Sequence, residues 1–196
     1  MSPISNVQFS RFTESEVGKL LTFGGRGGLE VVWPASDDER RDLEAHLREV
    51  FGVSLALQVK ARHVLVRHNR ASQLWIRFDE KRSRLISDPF FWYFFGYMDL
   101  VTMAFRAPVF LVPSTVVHSK ADPRPHGDLV RFTVAASMEA GSRDKWRPWA
   151  CRPDEAAGRV ITFLESHSRR RGLQAVRRRI ILPDVPDVLW VGRPAA

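Results

Sequence analysis

Residues 55–62, LALQVKAR, decide how this chain is read. Leu55, Leu57 and Val59 alternate with Ala56, Gln58 and Lys60, the period of two that marks a β-strand with one apolar face. Gln58, Lys60 and Arg62 then share the opposite face, which places an amide, an ammonium and a guanidinium side by side. Such a face either meets water or is aimed at a phosphate or a metal.

Working outward, residues 37–51 (DDERRDLEAHLREVF) carry two patterns at once. Leu43, Leu47, Val50 and Phe51 fit a helix, whereas Leu43, Ala45 and Leu47 also alternate as in a strand. The second pattern makes a hairpin with 55–62, turning near Glu49 to Gly52. Upstream, Thr13 and Glu16 stand in capping-box spacing and Phe12 and Val17 in hydrophobic-staple spacing, which predicts a helix running to about Phe23 and stopping at GGRGG. LEVVWP predicts a short strand ending at Pro34. Downstream, QLWIRF (73–78), APVFLVP (107–113) and DLVRFTVAAS (128–137) predict strands. Asp88–Pro89 offers an N-cap followed by a first-turn proline, predicting a helix over 89–105 that is apolar nearly all round and therefore buried or placed in a subunit interface. A last helix starts at Pro153, with Asp154 and Glu155 in its first turn. Helices and strands interleave throughout, so the expected class is α/β or α+β, one domain with a central mixed β-sheet flanked by helices.

The chain of 196 residues is 44% hydrophobic and 11% aromatic, enough for a real core. Its formal net charge is +8, and 25 of its 30 basic residues are arginine. That balance suits an anionic partner, nucleic acid first. The C-terminal cluster SRRRGLQAVRRRI adds Arg169, Arg170, Arg171, Arg177, Arg178 and Arg179, guanidinium groups matched to phosphate oxygens. Expected boundaries are 1–168 for the domain and 169–196 for a basic extension. A single cysteine, Cys151, excludes an intrachain disulfide framework and a thiolate zinc cluster. The opening MSPISNVQFSRF lacks the build of a signal peptide, and Asp99, Arg106 and Pro108 interrupt the apolar stretch around residues 90–112, so a cytoplasmic protein without a membrane span is expected. GGRGGLE fits neither dinucleotide nor phosphate-loop fingerprints, and no nucleophile elbow is present. The six histidines show no metal-binding spacing and are expected on surfaces or loops.

One ordered set remains: a carboxylate in the first helix (Glu16, or Glu14), Asp42 before a strand, and Gln58 and Lys60 on the next strand. This order resembles the PD-(D/E)XK nuclease superfamily, in a form where glutamine replaces the usual acidic residue of the strand motif. The resemblance spans about residues 10–115, with APVFLVPSTVV similar to the later core strand. It implies a restriction-endonuclease-like fold and Mg²⁺ (or Mn²⁺) held by Glu16, Asp42 and Gln58. Lys60 would orient water or stabilise developing charge, and DNA would be the substrate. The sequence departs from the family in Gln58, which brings no charge, and in RRDL, which lacks the usual Pro-Asp or Gly-Asp pair. Two alternatives stand beside a Mg²⁺-dependent DNA hydrolase: an inactive module of the same fold that binds nucleic acid, and an interaction protein that dimerises through residues 89–105.

Overall fold

A computed structural model describes residues 4–35, 41–50, 52–68 and 71–170. The chain forms a mixed α/β domain in three layers. The first helix, α1 (Asn6–Gly24), is capped by Ser5, whose hydroxyl accepts the Gln8 amide while the Gln8 side chain accepts the Ser5 amide. This reciprocal box starts the helix well before Thr13. Thr13 instead donates its hydroxyl to the Ser10 carbonyl inside the helix.

Strands β1 (Leu29–Val32), β2 (Leu43–Leu47) and β3 (Ser54–Arg62) follow as an antiparallel meander. The two-way pattern in residues 37–51 therefore resolves as a strand. The β2–β3 hairpin turns where Glu49 adopts a φ of 65° and Gly52 a φ of 99°. The chain then leaves this sheet to build β4 (Val66–His68) and β5 (Ala71–Lys81), and returns as β6 (Phe91–Asp99), parallel to β3 with Lys60 opposite Phe95. Parallel neighbours need a crossover of a dozen or more residues, and here the β4–β5 excursion supplies it. Strand β7 (Ala104–Pro113) turns back on β6, α2 (Ser114–Lys120) follows, and β8 (Arg124–His126) and β9 (Leu129–Ser137) join β5. Strand β10 (Ala150–Cys151) adds to β7 before α3 (Ala156–Arg170). The result is a six-stranded mixed sheet, β1-β2-β3-β6-β7-β10, and a four-stranded antiparallel sheet, β4-β5-β9-β8. Helices α1 and α3 cover one face of the larger sheet.

Two apolar layers hold the sheets. On one face of the larger sheet, Leu55, Leu57, Val59 and Phe94 pack with Val17 and Leu21 of α1 and Val160 and Leu164 of α3. On the other, Tyr93, Phe95, Phe110 and Val112 pack with Leu74, Ile76, Phe132 and Val134 of the smaller sheet.

This double cover corrects the expectation of a helix over 89–105. A strand with both faces buried carries no polar alternation, so FFWYFF is as apolar as a buried helix. Asp88 starts a turn rather than a helix, its carboxylate accepting the Phe90 amide at 2.7 Å. The same packing buries Phe91 to Phe95 within one chain, which accounts for the apolarity of this run without a subunit interface. Among the described residues no helix is long and apolar enough to cross a membrane.

Candidate functional site

The β3 strand divides its side chains between the two apolar layers. Leu55, Leu57 and Val59 face the helices, so Gln58 and Lys60 project from the opposite face, where Lys60 meets Phe78 of the smaller sheet. Lys60 is half-buried, its Nζ 5.6 Å from the centre of the Phe78 ring. Ring and aliphatic stem hold the ammonium at the mouth of a cleft. The antiparallel register pairs Leu43 with Leu57, and one step further brings Asp42 alongside Gln58. The Asp42 amide donates to the Leu57 carbonyl at 2.9 Å, and its Oδ2 accepts the Val59 amide at 2.6 Å. The carboxylate thus extends the hairpin's own hydrogen bonding and is fixed relative to the strand that carries Gln58.

Asp42, Gln58 and Lys60 line one cleft of about 670 Å³, together with Arg11, Glu14 and Arg84. Gln58 is 5% exposed, and its Oε1 has no hydrogen-bond partner among the described residues. An unmatched buried acceptor costs about 1–3 kcal/mol of stability, so its presence calls for a reason.

The helix contributes a different carboxylate from Glu16. With α1 beginning at Asn6, the residues turned to the cleft are Val7, Ser10, Arg11 and Glu14, the spacing of one helical face. Glu16 lies two residues on, about 200° around the axis. It is buried beside Val17 and pairs with Lys19 at 2.6 Å, outside the cleft. Glu14, whose carboxylate accepts the Ser10 hydroxyl at 2.8 Å, occupies the cleft position. Arg62 ends β3 exposed, on the face of Lys60 but outside the cleft lining. Arg169 and Arg170 close α3 in sequence, and nothing further is described of their side chains. Arg171, Arg177, Arg178 and Arg179 lie outside the described residues.

The donor set of the cleft is oxygen only: two carboxylates, Asp42 and Glu14, and the Gln58 amide. That chemistry fits a hard cation such as Mg²⁺, which retains several waters and takes only one or two protein carboxylates, and does not fit zinc. Among the described residues no group of three or more His, Cys, Asp or Glu is placed to hold a metal ion. A cation here would lean on the orphan Gln58 oxygen and on substrate phosphate for the rest of its shell.

Two groups lie apart from this chemistry. Burial pushes the Cys151 thiol up to about 11, so it is a packing residue. Burial also pushes the His118 imidazole down to about 4, and its Nε2 lies 3.1 Å from the Tyr93 hydroxyl. His118 therefore departs from the expectation that every histidine sits on a surface or loop. On the outer face of the smaller sheet, Arg131 is bidentate to Asp79 at 2.8 and 2.9 Å. Its hydrogen bond holds the Asp79 carboxyl below the usual range. Trp75, Arg77 and Arg124 surround that pair.

No family model matches the chain, and no curated protein matches it. Among solved structures, a bacterial homing endonuclease, I-Ssp6803I, is similar over 86% of this chain and 97% of its own, at a TM-score of 0.49 and 13% identity.

Proposed function

We propose that this chain binds DNA and hydrolyses its phosphodiester bonds with the help of Mg²⁺ (or Mn²⁺), as the resemblance to PD-(D/E)XK nucleases implies. One observation carries the reading: Gln58, whose buried Oε1 has no hydrogen-bond partner among the described residues, lines one cleft with Asp42 and Lys60. A strand face that merely met water would leave that oxygen solvated. Asp42, Gln58 and Glu14 would hold the cation, with Glu14 taking the part first given to Glu16. When bound, the cation polarises the scissile phosphate and makes its water a better nucleophile. Asp42, anchored to the β3 backbone, fixes the donor geometry. Lys60 stabilises the charge that develops on the phosphate oxygens, and Arg11 and Arg84 hold the flanking phosphates. Supercoiled plasmid incubated with Mg²⁺ and then with excess EDTA tests this: nicking that needs Mg²⁺ and is lost in Asp42→Asn supports the reading, and nicking unchanged by Asp42→Asn refutes it.

A second reading, an inactive nucleic-acid-binding module of the same fold, is favoured by the lack of three grouped acidic or imidazole ligands among the described residues. It predicts DNA binding whose logarithm falls linearly with the logarithm of salt concentration, with no Mg²⁺-dependent product.

A further inference from the structure

Trp33 stands on the wall of the same cleft and has no part in the chemistry above. It follows β1 directly, is 51% exposed, and has no ring or hydrogen-bond partner among the described residues. Tryptophan is rarely left so open, since its indole buries more apolar surface than almost any other side chain.

Its seat is specific. Gly18 lies in the middle of α1, where glycine is among the worst helix formers. A Cβ built on Gly18 would fall 2.5 Å from the indole Cζ2 and 2.9 Å from Cη2. No real side chain tolerates such an approach, so the helix keeps a glycine where the benzo edge of Trp33 rests. The ring is thereby pinned at one edge while half of its surface stays open.

Around that ring the basic groups of the cleft outnumber its two carboxylates, Glu14 and Asp42. Arg11, Lys60 and Arg84 line it, and neither Arg11 nor Arg84 has an acidic partner among the described residues. An aromatic face set among guanidinium groups, in a cleft of nucleotide-accommodating size, is the arrangement that receives a base and its flanking phosphates.

Resting on the nuclease reading of this cleft, we propose that Trp33 stacks against an unpaired nucleobase next to the scissile phosphate. The substrate class is then DNA with an unstacked base at the cutting point, such as a single-stranded overhang or flap, rather than continuous duplex. In continuous duplex the base faces are covered by their neighbours, so an indole pinned at one edge finds no open face to stack on.

The test is binding without turnover. Fluorescence anisotropy in EDTA compares a labelled blunt duplex with the same duplex bearing a ten-nucleotide overhang, for wild type, Trp33→Ala, Trp33→Phe and Gly18→Ala. Wild type should prefer the overhang substrate. Trp33→Ala should reduce overhang affinity roughly 5- to 150-fold, the range of one base–aromatic stack, and leave blunt-duplex affinity unchanged. Trp33→Phe should retain most of the preference. Gly18→Ala should lose it while melting no lower than wild type, because alanine favours the helix and displaces only the indole. No preference in the wild type, or a preference that survives Trp33→Ala, overturns the proposal. So does light scattering in which Trp33→Ala changes the oligomeric state without changing DNA affinity. The nuclease reading fails separately: an intact overhang preference without Mg²⁺-dependent cleavage removes the catalysis and leaves the stack. Cleavage independent of Trp33 does the reverse.

Discussion

Replacing Gln58 by leucine should make the protein more stable and inactive at once. The amide is 5% exposed, its face of β3 looks toward the aromatic layer that includes Phe78, and its Oε1 has no partner among the described residues. An unmatched buried acceptor costs about 1–3 kcal/mol, and leucine has nearly the same volume without the polar atom. Taking the lower part of that range, Gln58→Leu gains about 1–2 kcal/mol. For a domain of 150–250 residues, each kcal/mol moves the melting temperature by about 2–4 °C, so the variant should melt about 2–8 °C higher. The assay is a thermal melt followed by circular dichroism, paired with Mg²⁺-dependent plasmid nicking on the same preparation. A residue whose removal stabilises the fold and abolishes activity is kept for function, in line with the usual trade between stability and activity. A lower melting temperature would refute the reasoning, for it would mean that the amide makes a hydrogen bond the fold needs. A higher melting temperature with full nicking would separate Gln58 from the chemistry.

Three further outcomes follow from the packing and the shifted groups. Phe94, fully buried between β3 and β7 and in edge contact with Phe105 at 4.9 Å, should cost about 3–5 kcal/mol when cut to alanine, visible as a lower urea midpoint. His118 is held neutral in the fold with its value near 4, below the ordinary 6.5, so the unfolded chain binds the extra proton first. Stability contributed by the neutral imidazole is complete above pH 6.5 and is lost as pH falls toward 4. Half-burial limits the loss to about 1–2 kcal/mol, and His118→Gln should flatten that part of a stability–pH curve. The Cys151 thiol, near 11 against an ordinary 9.0, should react with iodoacetamide at pH 8 about 100-fold more slowly than in the urea-unfolded chain. Equal rates would contradict its burial.

How much of this could be read from the sequence depended on whether one face of an element meets something polar. Strands β3, β5 and β9 have one such face, and their alternation is plain in LALQVKAR, QLWIRF and DLVRFTVAAS. Strand β6 has none: Trp92 and Phe94 face the helices while Tyr93 and Phe95 face the second sheet, so its pattern could not be told from that of a buried helix. The pairing of Gln58 with Lys60 was legible because a period of two guarantees a shared face. Asp42 joined them only once residues 43–47 proved to be a strand. The sequence offered two helix carboxylates, Glu16 and Glu14, and a local feature decides which of them lines the cleft. Thr13–Glu16 has real capping spacing, but Ser5–Gln8 has it too and lies first, and that starting point rotates Glu14 rather than Glu16 toward the cleft. Trp33 left no signal in the sequence, since its exposure and its seat on Gly18 exist only once β1 lies against α1.

The central claim is that the polar face of β3 performs phosphodiester chemistry, and Lys60 tests it most directly. Its Nζ stands at the cleft mouth beside Phe78, and alanine removes the ammonium without touching the Asp42 or Gln58 oxygens. Supercoiled plasmid with Mg²⁺, wild type against Lys60→Ala, with matched circular dichroism spectra, is the measurement. Nicking by the wild type that falls at least 100-fold in the variant is the predicted result, in the range expected when one transition-state charge partner is lost. Equal nicking by both proteins, or none by the wild type, would contradict it.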